Sequence, residues 1–281
     1  MDEFTEQSVK ERLARKEIGH TVLFLRDVDS TNTAAFNLGI RGAAEGTVVV
    51  AECQTRGKGR LTRTWQSPPG VNIYASVILR PSIPPSIAPP LTLVAGVAVA
   101  ELINRYCPGL VTLKWPNDVQ IRRKKVCGIL AEMKTAAANV DFVILGIGIN
   151  VNIRAEDFDV SFREFSTSLR DETGGDLSRL DVLAGLFDTL YRSYRQFLQE
   201  GFSPIREQWL KYSNILGRQI QVVFRDEVQE GKVIDLEEDG SLILLDHQQR
   251  VRRITAGDAS IKKNHEQAEP SGRGSLEAAK D

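Results

Sequence analysis

The chain has 281 residues, 42% hydrophobic and 26% charged, enough apolar content for one sizeable core and a small second unit. Lys and Arg total 36 against 37 Asp and Glu, a formal net charge of -1. No global positive field therefore recruits nucleic acid or an anionic membrane, and any anion handled here must be bound locally.

Residues 1 to 20 read as a short polar helix, unlike a signal sequence, leading into a β-rich run from Thr21 to Val28. The turn Asp29-Ser30-Thr31-Asn32 opens a helix from Thr33 to about Ile40, and a second strand, Thr47 to Glu52, delivers the chain into Gln54-Thr-Arg-Gly-Lys-Gly-Arg60. Val71 to Leu79 is a further strand and Pro81 to Pro90 a proline-punctuated connection. Leu91 to Tyr106 is a mostly buried helix. Its most apolar stretch, Leu91 to Ile103, is interrupted by Glu101 and too short to cross a bilayer, so a cytoplasmic protein with no membrane partner is expected. Strands recur at Val111 to Lys114, Lys125 to Lys134 and Asp141 to Asn152; the last is almost continuously apolar and belongs at the centre of a sheet.

From Arg179 to Gly201, Leu180, Leu183, Leu186, Phe187, Leu190, Tyr194 and Phe197 form one face of an amphipathic helix expected to pack on that sheet. After Trp209 and Gly217 short strands and tight turns take over: Gln219 to Phe224, Glu230 to Leu236, an Asp239-Gly240 turn, Leu242 to Asp246 and Arg250 to Thr255. These describe a small β-barrel. The tail after Lys263 lacks aromatic and β-branched residues and is expected to be disordered. The resulting division is 1–214, 215–262 and 263–281.

Cysteines at 53, 107 and 127 and histidines at 20, 247 and 265 show no ligand spacing, which argues against a structural zinc site or a disulfide framework. The richest segment is Gln54 to Trp65. Gly57 and Gly59 let the backbone approach a ligand, and Arg56, Lys58, Arg60 and Arg63 can surround a phosphate. Trp65 suits either stacking on a purine or anchoring the loop to the core. Neither a Walker loop nor a dinucleotide fingerprint is present; Gly57-x-Gly59 lacks the third glycine, and so does Gly146-x-Gly148, whose glycines fit close backbone packing or a bulge. In Lys114-Trp115-Pro116-Asn117-Asp118 the stiff Trp-Pro step can place an ammonium where a carboxylate meets an α-phosphate, and Asn117 and Asp118 can hydrogen-bond, hold a magnesium ion or simply form a turn. Ser30-Thr31-Asn32 suits a helix N-cap and also recognition of a small polar group.

In order and spacing, Ser30-Thr31-Asn32, Gln54 to Trp65, Lys114 to Asp118, Lys125-Val-Cys-Gly128-Ile-Leu and Gly146-Ile-Gly-Ile-Asn150 resemble the biotin protein ligases. The resemblance spans about Leu23 to Ile261. It implies an α/β (α+β) architecture: a mixed-sheet catalytic domain of the biotin/lipoate ligase type and a small C-terminal SH3-like β-barrel. By the same resemblance, Ser30, Thr31, Asn32 and Gln54 hold the biotin head group, and Lys58, Gly59 and Arg60 close over biotin and the adenylate phosphate. Lys114 and Arg60 act at the reacting carboxylate, and Gly57, Arg63, Trp65, Asn117, Lys125, Gly128 and Asn150 surround the nucleotide, with Asp118 a metal candidate.

The implied substrates are biotin and ATP with magnesium, and the implied partner is a biotin carboxyl carrier protein or domain; monomer and homodimer both stay open. Lys58, Leu61 and Thr62 stand where the common form of the family has arginine, arginine and glycine, which bears on how the loop retains an adenylate. Lys262 matches a C-terminal basic residue near the nucleotide. Only about twenty residues precede the first strand, so no DNA-binding domain and no repressor activity are expected. Two alternatives are a lipoyl or octanoyl ligase or transferase of the same fold, with Cys127 as the sole candidate nucleophile, and a non-catalytic biotin-responsive regulator.

Overall fold

A computed structural model describes residues 4–213, 215–225 and 227–261. Lys262 and the 263–281 tail fall outside the described residues. The chain runs α1 (Glu6–Leu13), β1 (Val22–Val28), α2 (Thr31–Ile40), β2 (Val48–Gln54), β3 (Ile73–Leu79), α3 (Leu91–Asn104), β4 (Val111–Lys114), β5 (Asp118–Ile121), β6 (Lys124–Ala136) and β7 (Asn139–Ile149). It continues through α4 (Leu169–Thr173), α5 (Arg179–Glu200) and α6 (Ser203–Ser213) to β8 (Gln219–Phe224), β9 (Glu227–Leu236), β10 (Leu242–Leu245), β11 (Val251–Ile254) and β12 (Asp258–Ile261).

The first seven strands form one mixed sheet in the order β1-β2-β3-β7-β6-β5-β4. Only β1 and β2 pair in parallel, with α2 as the crossover between them. The apolar run Phe142 to Ile149 occupies the central strand, as its composition requires, because both faces are covered. Strand periodicity sorts the core into two layers. Val49, Ile78, Phe142 and Ile144 turn to α2, while Val48, Val50, Val77, Leu79, Val143 and Leu145 join the main core with α3. α3 is apolar all round because it is sandwiched between the sheet and the outer helices α5 and α6. With the turn before it, the segment Pro85–Asn104 is long and apolar enough to cross a membrane by length and composition, yet 72% of its most apolar window is buried within the fold.

Several expectations are corrected. The amphipathic helix α5 packs chiefly on α3, α6 and α1, because α3 already covers that face of the sheet. Strand β5, helices α4 and α6 and strand β12 were not legible as elements: each is short, and each is fixed by tertiary partners rather than by its own pattern. Helix α2 starts at Thr31 rather than Thr33, which puts Thr31 and Asn32 in its first turn.

The last five strands form a separate antiparallel sheet in the order β11-β10-β9-β8-β12. Its buried Ile220, Val222, Val233, Leu242 and Leu244 are continuous with the main core. Polar contacts that hold it against the first unit include the Trp115 indole N–H, which donates to Gly240 O at 3.0 Å, and Arg206, which pairs with Asp235 and Leu236 O.

Candidate active site

A cavity of about 260 Å³ opens where α2, the Gly57–Trp65 loop, the β4–β5 hairpin, β6, β7 and the end of the small β domain converge. Ser30, Thr31, Asn32, Gln54, Lys58, Gly59, Arg60, Arg63, Trp65, Lys114, Asn117, Asp118, Lys125, Gly128 and Asn150 all line it. Gly57 does not; it lies in the adjacent groove beneath the basic loop.

One wall is a connected polar network. Ser30 stands at the N-cap position of α2 but makes no side-chain cap bond, so the hydroxyl that would serve the helix is left to the cavity. The Thr31 backbone N–H donates to Gln54 Oε1 at 2.8 Å, and Gln54 Nε2 donates to Ser67 Oγ at 2.9 Å. Asn32 is buried; its Oδ1 lies 2.7 Å from Ser76 Oγ, and its Nδ2 donates to Glu132 at 2.8 Å and to Leu130 O at 3.3 Å. The glycine at 146 makes room for this amide: a Cβ there would lie 1.9 Å from Asn32 Oδ1. Gly148 serves Trp65 in the same way, since a Cβ would fall 2.6 Å from the indole Cε2 and Nε1. Gly146-x-Gly148 is thus close packing, of side chains onto a sheet, and the strand bulge lies elsewhere, at Lys134/Thr135.

The basic loop is a tight hairpin. Gly59 N–H donates to Arg63 O at 2.7 Å, Arg63 N–H to Arg60 O at 3.1 Å and Trp65 N–H to Gly57 O at 2.8 Å. Its glycines admit the returning chain rather than a ligand: a Cβ on Gly57 would lie 2.4 Å from Trp65 O, and one on Gly59 would lie 3.0 Å from Arg63 O. Leu61 and Thr62 at the tip take φ of 52° and 63°. The second is a β-branched residue in a glycine-favoured region, a cost of about 1–2 kcal/mol. Trp65 is half-buried across Gly128 and Gly148, with Lys125 Nζ 5.3 Å from its ring centroid, so it anchors the loop while lining the cavity.

The charges are mostly paired. Arg60 contacts Asp258 Oδ1 at 3.1 Å, Asn117 Oδ1 at 3.4 Å and Gly257 O at 3.3 Å, and Arg63 reaches Asp258 Oδ2 at 2.7 Å. Burial pulls the Arg60 pKa down from the usual guanidinium value, opposed by Asp258 and Asp118. Lys58 sits 3.4 Å from Glu132. Lys125 and Asp118 are 2.6 Å apart, so Asp118 could meet a metal only in competition with that ammonium. No group of three or more His, Cys, Asp or Glu that could hold a metal occurs among the described residues. Lys114, at the end of β4 opposite Asp118, forms no ion pair among the described residues and faces the cavity with its charge uncommitted.

Sequence reasoning missed Asp258, Glu132, Ser76 and the aromatic group Phe158, Phe162 and Phe165. Asp258 is 198 residues from Arg60, and no local pattern marks a carboxylate that becomes its partner. Cys127 is fully buried in β6, and burial pushes its thiol far above the ordinary range, so no thiolate is at hand for acyl transfer.

Comparison with known proteins agrees with this geometry. Residues 24–150 match the biotin/lipoate A/B protein ligase family, and 215–262 match the biotin protein ligase C-terminal domain. A bifunctional ligase/repressor of Bacillus spizizenii is 34% identical over 257 residues, covering 92% of this chain and 79% of the relative. A biotin–[acetyl-CoA-carboxylase] ligase of Paracoccus denitrificans is 32% identical over 228 residues, 78% of this chain and 92% of that one. The solved biotin protein ligase of Aquifex aeolicus in complex with biotin and ATP superposes with a TM-score of 0.73 at 30% identity, covering 86% of this chain and 99% of that one. With these matches over both sheets, and a cavity assembled from the residues the motifs supply, the chain belongs to the biotin protein ligases of the biotin/lipoate A/B family.

Proposed function

We propose that this protein activates biotin with MgATP and transfers it to a lysine of a biotin carboxyl carrier protein or domain in the cytoplasm. The observation that carries the reading is one cavity lined by both the Ser30-Thr31-Asn32 network and the uncommitted Lys114 beside the paired arginines of the basic loop.

In the first step a carboxylate oxygen of biotin attacks the α-phosphorus, the bond to the β-phosphate oxygen breaks, and pyrophosphate leaves. The step requires alignment and neutralisation of charge on the phosphate oxygens rather than a covalent protein group. Lys114, which lines the cavity, would serve that role together with Arg60, which lines the same cavity and is hydrogen-bonded to Asn117. Trp65, Lys125, Gly128 and Asn150 form the nucleotide end; Asn150 is locked by donation to Thr167 O at 3.0 Å. Asp118, now paired with Lys125, is the carboxylate that would hold a magnesium ion accompanying the nucleotide, and such an ion would supply further neutralisation of phosphate charge. In the second step the acceptor amine attacks the acyl carbon, AMP leaves, an amide forms and a proton is released. Lys58, Gly59, Arg60 and Arg63 cover the mixed anhydride and exclude water.

Buried Cys127 speaks against an acyl-enzyme transferase on this fold. The deciding experiment is biotin-dependent exchange of labelled pyrophosphate into ATP, repeated with lipoate. Exchange with biotin is expected. Exchange with lipoate alone, or with neither acid, would overturn the proposal, and tight biotin binding without exchange would instead make the protein a regulator.

A further inference from the structure

The tip of the basic loop is a turn that its own residues disfavour. Arg63 N–H donates to Arg60 O at 3.1 Å, and the two residues between them, Leu61 and Thr62, take φ of 52° and 63°. Positive φ at both central positions makes a type I′ turn, the geometry that an Asn-Gly pair fills best. A γ-branched and a β-branched residue each lower the population of such a turn by about tenfold. Burial does not offset this, because both side chains are exposed. Elsewhere strand pairing does: Arg122 and Arg123 take φ of 49° and 70° in the β5–β6 hairpin, where Ile121 pairs with Lys124 and the ladder runs on to Asp118 and Gly128. In the basic loop the flanking strands are reduced to an isolated bridge between Lys58 and Thr64. The first and last residues of the turn, however, meet the same carboxylate. Asp258 Oδ1 accepts from Arg60 at 3.1 Å, and Oδ2 lies 2.7 Å from Arg63 Nη1. The Arg60 and Asp258 side chains are only 21% and 22% exposed, so their pair escapes the screening that weakens surface ion pairs. Asp258 itself is set by the small domain's sheet, where it pairs with Val223 of β8.

We propose that Asp258 is a positioning residue that staples the basic loop shut: by bridging Arg60 and Arg63 it holds the Leu61-Thr62 turn in a conformation that the loop's own sequence would leave largely unformed. A carboxylate has two charged oxygens, one for each guanidinium, whereas an amide of the same shape presents one acceptor and no charge. Without the staple the tip opens, while Trp65, packed across Gly128 and Gly148, keeps the base of the loop in place. Arg60 and Arg63 line the cavity, so an open tip uncovers the mixed anhydride, a consequence that rests on the proposed function.

The test is amide hydrogen exchange in the full-length protein without ligand, read at Gly59 and Arg63, whose N–H groups close the tip, against Trp65, whose N–H closes the base. In Asp258→Asn, exchange at Gly59 and Arg63 is expected to speed up by about tenfold or more relative to Trp65. Adding Leu61→Asn and Thr62→Gly to that variant gives a turn that closes unaided and is expected to return both rates to within about threefold of the wild type. The same two turn substitutions in the wild-type background leave the small domain untouched and are expected to slow exchange at both amides by about tenfold or more. Bound adenylate, formed from biotin and MgATP with no acceptor present, is expected to be lost about fivefold faster in Asp258→Asn and at the wild-type rate once the turn substitutions are added. Unchanged exchange in Asp258→Asn overturns the proposal, and so does acceleration that the turn substitutions fail to reverse, or an adenylate lifetime that stays normal while the tip exchanges freely. Should Asp258→Asn fail to fold, unchanged exchange in Leu61→Asn with Thr62→Gly alone overturns it. Absence of any adenylate in the wild type is a different failure, that of the proposed function, and the amide rates still decide whether Asp258 holds the turn.

Discussion

Gly146 offers the sharpest test of how the cavity wall is built. In Gly146→Ala the new Cβ would lie 1.9 Å from Asn32 Oδ1, 2.7 Å from Cγ and 3.0 Å from Nδ2, with the central strand β7 on one side and α2 on the other. Strand β7 is hydrogen-bonded to β3 and β6 along its length, so the side chain of Asn32 must give way. Moving it breaks contacts with Ser76, Leu130 O and Glu132 together. Two neutral bonds and one charge-assisted bond set the ceiling of the loss at about 2.5–6 kcal/mol, part of it recovered if the displaced amide reaches water in the cavity. For a chain of this size the lower figure corresponds to a fall in Tm of about 4 °C. The displaced amide also occupies space where the head group belongs, so biotin affinity should fall further than stability alone would account for. Thermal unfolding and calorimetric titration with biotin measure both, with Gly175→Ala as the control because nothing lies within 4 Å of a Cβ there. If Gly146→Ala melted and bound biotin like the wild type, the account of why glycine stands at 146 would be wrong.

Lys114→Ala should lower the exchange rate by about 100-fold or more while changing biotin binding far less, because its charge is needed where phosphate charge develops. An equal loss in rate and binding would make it a binding residue only. Cys127→Ser should fold and retain most of its activity, since the buried thiol takes no part in the chemistry; loss of turnover in a folded variant would point to acyl transfer through that sulfur. In the small β domain the Asp246 carboxylate is held well below the usual range, first by the Arg250 backbone N–H and then by the Arg252 and Arg250 side chains and the Gln248 N–H. A depressed folded-state pKa contributes stability above the unfolded value of about 3.9 and loses it as pH falls below that. Asp246→Asn should therefore flatten the acid limb of the stability curve below about pH 4. Superimposable pH curves for the two proteins would remove Asp246 from the account.

The sequence by itself determined the segments that carry chemistry. Ser30-Thr31-Asn32, the glycine-basic loop, Lys114 to Asp118 and the apolar β7 run are local patterns, because each needs a helix start, a tight return, a stiff turn or a buried strand to present its side chains. The central place of β7 was legible from composition alone, since only a strand covered on both faces is apolar at nearly every position. Close packing at Gly146 and Gly148 was legible as one of two readings, but what packs against the glycines was not. Gly57 and Gly59 leave room for the loop's own returning backbone, and Gly146 and Gly148 for Asn32 and Trp65, because the atoms a missing Cβ admits come from other elements. The same holds for charge. Tertiary structure alone decided that Asp258, from the last strand of the small domain, would meet Arg60 and Arg63, and that Glu132 would accept from the Asn32 amide. Strand and helix periodicity acts over a few residues, whereas a carboxylate finds its cation wherever packing brings the two together.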